Sequence, residues 1–317
     1  NFRIELSGPM TMSDQEVHSP QSFRCGYVAI IGKPNVGKST LMNALIGQKV
    51  SIVTRKPQTT RHKILGILTR EFEQIIFLDT PGLMKPVYPL HDAMMEAARS
   101  AMVDADVVLL MIDATDPGQG QDLHVEPAFA LLKRCRASVF LVINKLDLVK
   151  PDKILPVIAS YAEKFSFKEI FPVSALKLTG TPELLDALSR ELPVHPAYYP
   201  AETLSEHSER FFVAELIREK IFEQFRDEIP YSTAVQIADF RELEGRKDLI
   251  QAEIFVERDS QKGILIGKDG SALKEVGEQA RKEIEAFLGR PVYLEMHVKV
   301  KGEWRKKDEW LKRFGYR

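Results

Sequence analysis

Apolar runs alternate with helical patterns from residue 23 to residue 192. Four short runs rich in β-branched and other apolar residues predict buried strands: Tyr27–Ile31, Gln74–Leu78, Ser138–Ile143 and Glu169–Val173. Strands that alternate with helices are typical of a mainly parallel sheet with helices on both faces. The run Lys63–Thr69 is expected to add an antiparallel edge strand. The pattern therefore predicts an α/β domain over residues 23–192.

A second domain with a different pattern follows a proline-rich linker at residues 193–205. The stretch Pro193–Pro200 carries three prolines in eight residues, which excludes regular helix and indicates a semi-rigid spacer. The elements predicted beyond it are a long amphipathic helix over Glu209–Ile229, strands over Thr233–Phe240 and Leu249–Glu257, two helices that end at Leu288, and a strand over Val292–Val300. This order predicts an α+β domain over residues 206–300, followed by a basic aromatic tail at residues 301–317.

The length and composition of the chain fit two domains, each with its own hydrophobic core. The chain has 317 residues, of which 44% are apolar and 28% are charged. The longest uncharged apolar run, Val107–Ile112, is far too short to span a bilayer. Only two cysteines occur, Cys25 and Cys135, which argues for reduced thiols in a cytosol and against a disulfide framework or a zinc site. Residues 1–22 are expected to be a disordered N-terminus or a tag remnant, and they are left out of the fold prediction.

The first buried strand leads into a glycine-rich loop and then a helix. The loop has the spacing Gly32-x-x-x-x-Gly37-Lys38-Ser39. Glycines let successive N–H groups converge on an anion, and the start of the helix adds its positive dipole end. Lys38 is expected to contact the β and γ phosphates of a nucleotide, and the Ser39 hydroxyl to bind Mg²⁺. The alternative is a chance glycine-rich turn, which the strand and helix on either side disfavour. The predicted phosphate-binding residues are Gly32, Lys33, Pro34, Asn35, Val36, Gly37, Lys38, Ser39 and Thr40.

The second strand ends in Asp79, followed by Thr80, Pro81 and Gly82. A carboxylate at the carboxyl end of a strand, facing the phosphate loop, can hold Mg²⁺ through water. The Gly82 backbone N–H could then turn onto a γ-phosphate. On its own such a tetrapeptide is an ordinary turn. Its position after a buried strand is what makes it a candidate magnesium switch.

The third strand runs into Asn144, Lys145 and Asp147. The Asp147 carboxylate accepts two hydrogen bonds, which suits the N1–H and N2–H₂ edge of guanine and disfavours adenine. Lys145 can lay its aliphatic stem along the base. After a later strand, Ser174 and Ala175 are expected to complete this site, with the Ala175 N–H on guanine O6. Together the three segments predict a guanine-nucleotide hydrolase.

The order and wording of these segments resemble the translation-factor-related class of P-loop GTPases. The phrases Lys33–Ser39 and Pro57–Arg61 narrow the resemblance to the Era-like group, and most closely to the Era family of bacterial ribosome-assembly GTPases. The resemblance extends from about residue 24 to the C-terminus. It implies GTP and GDP with Mg²⁺ as cofactors, and a monomer in the cytoplasm. It also implies binding to small-subunit ribosomal RNA near its 3′ end, a role in 30S subunit assembly, and peripheral contact with the inner membrane.

The resemblance also suggests how hydrolysis proceeds. Ras-like GTPases place a water-orienting glutamine where this chain has Leu83, so slow intrinsic hydrolysis is expected. Thr60, with Thr59 as the alternative, is the candidate hydroxyl that closes on Mg²⁺. Related GTPases with asparagine at the position of Asn35 use K⁺ beside the phosphates, which gives the hypothesis that Asn35 binds K⁺. The predicted catalytic residues are Lys38, Asn35, Thr60 and Gly82, and the predicted metal-binding residues are Ser39, Thr60 and Asp79.

The second domain resembles the prokaryotic, type II KH domain that binds RNA. Gly267 and Gly270 would let a tight turn between two helices press against a sugar-phosphate chain, although such a turn alone often only joins helices. Basic residues outnumber acidic ones from residue 260 onward, and four aromatic residues interleave with them after Lys299. This pairing predicts phosphate contacts by the cations and stacking of the aromatic rings on bases. An ordinary amphipathic terminal helix is the alternative for those aromatics. The predicted RNA-binding residues are Ile266, Gly267, Lys268, Asp269, Gly270, Lys299, Lys301, Arg305 and Lys306.

Two other classes of protein stay open at this point. One is a metabolic P-loop kinase, in which Asp147 would have no purpose. The other is a GTP-gated protein- or membrane-interaction module in cell-cycle regulation, whose KH-like domain binds no RNA. A basic amphipathic tail could also touch an anionic membrane surface.

Overall fold

The computed structural model describes residues 22–116, 131–133 and 135–317. Among these residues, the first domain contains a six-stranded sheet in the order β2-β3-β1-β4-β5-β6, in which β2 pairs antiparallel with β3 and the other neighbours pair parallel. Its strands are β1 (Arg24–Gly32), β2 (Ile64–Arg70), β3 (Glu73–Asp79), β4 (Val107–Asp113), β5 (Ser138–Asn144) and β6 (Glu169–Pro172). The predicted fold class, including the antiparallel edge strand, is confirmed.

Helices cover both faces of this sheet. They are α1 (Lys38–Ile46), α2 (Pro89–Asp104), α3 (Ile154–Ala162) and α4 (Thr181–Glu191). Helices α1 and α4 share one apolar core with the sheet, and α2 and α3 share the other. The central strands are buried on both faces, which explains their nearly unbroken apolar sequence. Within the described ranges, no helix has the length and apolarity that crossing a lipid bilayer requires.

The second domain combines four helices with a three-stranded sheet over its described residues. Its elements are α5 (Glu209–Gln224), α6 (Glu228–Ser232), β7 (Ala234–Arg241), β8 (Asp248–Val256), α7 (Asp259–Ile266), α8 (Ser271–Leu288) and β9 (Val292–Val300). Strand β8 pairs antiparallel with β7 and parallel with β9. The predicted element order is confirmed, except that the expected long helix over Glu209–Ile229 is divided. Pro230 would break a continuous helix, but it is tolerated in the first turn of α6.

The segment between the domains packs against the first sheet. Backbone hydrogen bonds join Cys25 to Pro193 and His195 to Phe23, each at 3.1 Å, and Ile67 to Leu204 at 2.8 Å. The prolines therefore follow the surface of the first domain, a role that a semi-rigid spacer would not have. Of the expected disordered N-terminus, residues 1–21 lie outside the described residues.

The C-terminal tail is folded, and its aromatic residues pack together. Trp304 is fully buried, and its indole Nε1 donates to the Ser232 carbonyl at 2.8 Å. Helix α9 (Asp308–Arg313) follows, with Trp310 and Phe314 against Phe255 of β8. The expectation that the tail aromatics stack on bases is wrong for Trp304, because burial in the core leaves it no exposed face.

We expect Trp304→Ala to destabilise the second domain by about 3–5 kcal/mol, the usual cost of truncating a buried tryptophan. Denaturant unfolding followed by the fluorescence of Trp310, the one tryptophan left in the sequence, measures this loss. Tyr293→Ala on β9 is the matched control, since that ring is 55% exposed and should change stability by only about 0.5 kcal/mol. Equal losses in the two variants would contradict a core role for Trp304.

Candidate nucleotide site and RNA-binding surface

The phosphate loop wraps around the Lys38 ammonium at the end of β1. The Lys38 Nζ donates to the Lys33 carbonyl at 2.9 Å and to the Gly32 carbonyl at 3.3 Å. Burial lowers the pKa of Lys38 to about 8, while the nearby Asp79 carboxylate acts in the opposite direction. Gly37 has φ 98°, and a Cβ there would lie 2.4 Å from the Asn144 Nδ2, so only glycine fits. The loop can therefore offer an anion both the desolvated Lys38 ammonium and its own backbone.

Three hydroxyls converge on the buried carboxylate of Asp79. Its Oδ2 accepts from Ser39 Oγ at 2.5 Å, from Ser51 Oγ at 2.9 Å and from Thr60 Oγ1 at 3.5 Å. Ser39 Oγ and Thr60 Oγ1 are themselves 2.9 Å apart. The structure therefore brings together the three predicted metal-binding residues, Ser39, Thr60 and Asp79. Sequence analysis missed Ser51, because nothing in its local pattern distinguishes it from an ordinary loop serine.

These oxygens suit Mg²⁺. The second carboxylate oxygen, Asp79 Oδ1, is buried and has no hydrogen-bond partner within the described part of the chain. Burial raises the pKa of Asp79, against the opposing effect of Lys38, so a further cation would stabilise the ionised form. Carboxylate and hydroxyl oxygens are hard ligands of the kind that Mg²⁺ takes, with phosphates and water completing the set.

Thr60 fits the switch role better than Thr59. The Thr59 hydroxyl donates to the Lys56 carbonyl at 2.8 Å and lies 2.6 Å from Thr54 Oγ1. It is therefore engaged within its own loop, whereas the Thr60 hydroxyl points to Ser39 and Asp79.

The segment after β3 returns to the phosphate loop. A Cβ on Gly82 would lie 2.6 Å from the Pro34 backbone nitrogen, so this close approach requires glycine. The Leu83 N–H donates to the Gly32 carbonyl at 2.9 Å, and its side chain is buried in the core. Thr80 donates its hydroxyl to the Ile30 carbonyl at 2.7 Å. Leu83 therefore anchors this segment and offers no group that could orient water.

Asn144 links the two halves of the site. Its Nδ2 donates to the Val36 carbonyl at 2.8 Å, and its Oδ1 accepts the Ala175 N–H at 2.9 Å. The predicted role of that N–H as a donor to guanine O6 is therefore not what the structure shows, because the N–H is already paired. Ser174 instead donates to Asp147 Oδ1 at 2.5 Å, which leaves the other oxygen of this exposed carboxylate available to a base.

Asp113, at the carboxyl end of β4, is a residue that sequence analysis missed. It forms a close ion pair with the Lys145 ammonium, and it also accepts the Thr115 N–H at 2.9 Å. Its place at the end of a buried parallel strand was the available signal. The pair fixes the direction of the Lys145 stem beside the base-binding loop.

A cavity of about 1130 Å³ joins the phosphate loop to the base-binding residues. It extends from the phosphate loop past Asn144 to Asp147. Phe222, Glu223 and Arg226, from the second domain, close its far side. The cavity is thus bordered by both domains, which no local sequence pattern indicates.

Asn35 lies at the mouth of this cavity with a left-handed backbone, φ 65°. Its Nδ2 donates to the Arg55 carbonyl at 3.1 Å. The Asn35 side chain therefore contacts the loop around residue 55, beside the phosphate loop.

The predicted RNA-binding turn joins α7 to α8. Gly267 and Gly270 have φ values of 73° and 78°, and a Cβ on Gly267 would lie 2.7 Å from that of Ala272. Lys268 and Asp269 between them are exposed, while Ile266 is half-buried against the core of the second domain. The turn therefore lies at the protein surface, with its two glycines half-buried, as contact with a sugar-phosphate chain requires.

The four predicted cations of the tail region all have partners. Lys299 pairs with Glu253, and Lys306 with Glu303 at 2.6 Å. Lys301 lies over the Trp310 ring, with its Nζ 5.0 Å from the ring centroid. Arg305 differs most from the prediction, since its guanidinium donates to Glu257 at 2.6 Å and to the Tyr88 hydroxyl at 3.2 Å. Arg305 therefore joins the two domains, and we remove it from the set of expected phosphate contacts.

Two protein-family models match the chain. The model described as a 50S ribosome-binding GTPase matches residues 27–145, and the KH domain model matches residues 228–305. A curated protein of Lacticaseibacillus paracasei, named GTPase Era, is 48% identical over 92% of this chain and 96% of its own length. The GTPase Era of Heliobacterium modesticaldum is 46% identical over 93% of this chain and 98% of its own.

Solved structures agree over nearly the same span. Era in complex with MgGDPNP and nucleotides 1506–1542 of 16S ribosomal RNA superposes with a TM-score of 0.89 at 42% identity, covering 93% of this chain and 99% of that one. A variant of Aquifex aeolicus Era bound to GDP and aluminium fluoride gives 0.88 at 41% identity, with the same coverage. The chain belongs to the Era family of GTPases, with an N-terminal GTPase domain and a C-terminal KH domain.

Proposed function

We propose that this GTPase is a switch that binds small-subunit ribosomal RNA near its 3′ end through the KH domain and acts in 30S ribosomal subunit assembly. The observation that carries the proposal is the convergence of Ser39, Thr60 and Asp79 beside the phosphate loop, in one chain with an exposed glycine turn at residues 267–270. Its relative crystallised with MgGDPNP and 16S ribosomal RNA supports this combination.

We further propose roles for the residues of the nucleotide site. Lys38 and the backbone of residues 32–40 bind the phosphates, and Asp147, held by Ser174, binds the guanine edge. Ser39, Thr60 and Asp79 would hold Mg²⁺, which neutralises charge that develops on the phosphates. Because Leu83 is buried and apolar, no side chain directly after Gly82 orients the attacking water. Slow intrinsic hydrolysis is expected, because Leu83 stands where Ras-like GTPases have a water-orienting glutamine.

Coupling between the nucleotide and the RNA-binding surface is the third part of the proposal. The γ-phosphate would order residues 55–65, called switch I below, and residues 79–90. Arg61 of switch I is 2% exposed, and its guanidinium donates to the carbonyls of Thr233, Pro230 and Tyr231 at 2.8–3.0 Å. A change in switch I would therefore act on the KH domain around α6.

The proposed setting is a cytoplasmic monomer, with peripheral contact with the inner membrane as a secondary proposal. The competing function is a GTP-gated protein- or membrane-interaction module whose KH domain binds no RNA. The RNA experiment described below separates the two functions.

Asp147→Asn is expected to lower GTP affinity by at least about 100-fold and to give a preference for xanthine nucleotides. The reason is that an amide cannot accept both hydrogen bonds from guanine, whereas it can donate to the xanthine oxygen. Competition binding of GTP and XTP measures the change. Asp152→Asn, the same loss of charge at an exposed site five positions further along the chain, is the control and should leave both affinities unchanged. Retained GTP preference in Asp147→Asn would remove Asp147 from the base site.

GTP turnover should be at least about tenfold faster in KCl than in NaCl at equal ionic strength, if K⁺ at Asn35 supplies positive charge to the transition state. Steady-state phosphate release at saturating GTP measures the rates. Asn35→Gly tolerates the φ of 65° and removes the side chain, so it should abolish the difference between the two salts. Equal rates for the unaltered protein in KCl and NaCl would sink the K⁺ hypothesis.

Crosslinks to small-subunit ribosomal RNA are expected to concentrate on the turn at residues 267–270, and to differ between GDP and a GTP analogue. Lys268→Ala should weaken binding and reduce the slope of log affinity against log salt by about 0.7, because one phosphate contact to a single strand is lost. Sequencing of the crosslinked RNA and a salt titration provide the measurements.

Lys153→Ala, an exposed lysine of the GTPase domain, is the control for the RNA experiment and should leave the salt dependence unchanged. Crosslinks spread evenly over both domains, with no effect of Lys268→Ala, would favour the protein- or membrane-interaction module instead.

A further inference from the structure

Arg218 is a buried arginine of the KH domain that contacts the GTPase switch. It lies on α5, its side chain is 1% exposed, and its guanidinium Nη2 makes a close hydrogen bond to the Thr59 carbonyl. Glu215, one turn earlier, holds the guanidinium through Nε at 2.8 Å and through Nη2 at 2.5 Å. The orientation of this cation is therefore fixed by the KH domain itself.

The Thr59 carbonyl belongs to the peptide bond that also carries the Thr60 nitrogen. A hydrogen bond from a charged donor to this carbonyl therefore fixes the peptide plane on which the Thr60 side chain depends. The Thr60 hydroxyl lies 2.9 Å from Ser39 Oγ, inside the candidate Mg²⁺ site. Arg218 is thus one peptide unit away from a proposed metal ligand, without touching the site.

Other contacts hold the flanks of the same segment. Near the start of switch I, the Val53 N–H donates to Glu219 Oε1 at 3.0 Å, and Lys56 donates to the carbonyls of Phe222 and Phe225. After Thr60, Arg61 binds the carbonyls near α6. These contacts fix residues on either side, whereas the Arg218 bond acts directly on the peptide before Thr60.

We propose that Arg218 is a positioning residue for GTP hydrolysis, supplied to the GTPase site by the RNA-binding domain. It holds the Thr59–Thr60 peptide so that the Thr60 hydroxyl stays with Ser39 and Asp79. A displacement of α5 that withdraws Arg218 releases this peptide. The inference rests on the proposed role of Thr60 as a Mg²⁺ ligand. The KH domain then influences the rate of the reaction as well as responding to the nucleotide.

The test uses the whole 317-residue chain with Glu215→Leu and Arg218→Met combined. Arg218→Met alone would leave the Glu215 carboxylate buried without its partner and could prevent folding, whereas apolar replacement of a whole buried ion pair is often neutral or stabilising. Arg218→Lys is the conservative variant, because it keeps the charge but loses the paired donors of the guanidinium. Arg281→Met is the control, since Arg281 pairs with Glu285 on α8 inside the KH domain and both side chains are partly exposed.

For the double variant we expect kcat to fall about tenfold, because misplacing a group outside the chemistry by about 1 Å can cost up to about 100-fold. The Mg²⁺ concentration for half-maximal activity should rise several-fold. GDP affinity should stay within about twofold, because the phosphate loop and the base site are unaltered. Arg218→Lys should recover part of kcat, and Arg281→Met should match the unaltered protein in all three measurements.

Three outcomes would overturn the proposal, and they differ from one another. If the double variant keeps kcat and the Mg²⁺ dependence within twofold while Thr60→Ala loses both, Arg218 has no positioning role. If GDP affinity and thermal stability fall together with kcat, the residue is merely structural. If Thr60→Ala itself leaves kcat and the Mg²⁺ dependence unchanged, the proposed metal role of Thr60 fails, and the basis for Arg218 fails with it.

Discussion

The buried carboxylate of Asp79 is the constraint on which the nucleotide site depends. A charge at the end of a fully buried strand is tolerated only if other groups compensate it. Here the compensation comes from three hydroxyls, supplied by the first turn of α1, by the loop after α1 and by switch I, together with the Lys38 ammonium. These segments must therefore approach one another wherever Asp79 is ionised. The need to compensate the buried charge of Asp79 therefore determines which segments form the site.

The base-binding half is held together in a different way. Asn144 makes two neutral hydrogen bonds to backbone groups of two loops, and each loop directly follows a parallel strand of the sheet. Neither bond involves switch I, so the base site keeps its shape when switch I moves. The phosphate half, by contrast, depends on the hydroxyl of Thr60, which lies on a loop that also contacts the KH domain through Lys56, the Thr59 carbonyl and Arg61. One half of the cleft is a fixed scaffold, and the other half is conditional on switch I.

Features encoded within a single strand, turn and helix could be predicted from the sequence. The phosphate loop, the place of Asp79 and the turn at Gly267–Gly270 all belong to this class, as does the order of elements in both domains. Features that depend on distant partners could not be predicted. Arg305 meets the Tyr88 hydroxyl across 217 positions of the chain, and Trp304 meets the Ser232 carbonyl across 72. A basic aromatic tail has the same local pattern whether it faces RNA or a second domain.

Helix α6 shows why the contact between the domains can transmit a change. It has only five residues, so it cannot be stable on its own, and the carbonyls at its end need partners from outside the helix. Arg61 of switch I provides donors to three carbonyls of this region, and Trp304 of the tail provides one to Ser232. Strand β7 begins directly afterwards, at Ala234. Hydrogen bonds to a buried guanidinium are directional, so Arg61 cannot slide to an intermediate position without leaving donors unpaired. Withdrawal of Arg61 therefore removes the C-terminal cap of α6 and frees the start of β7. Any RNA that fixes the KH sheet must act back on switch I with the same coupling free energy.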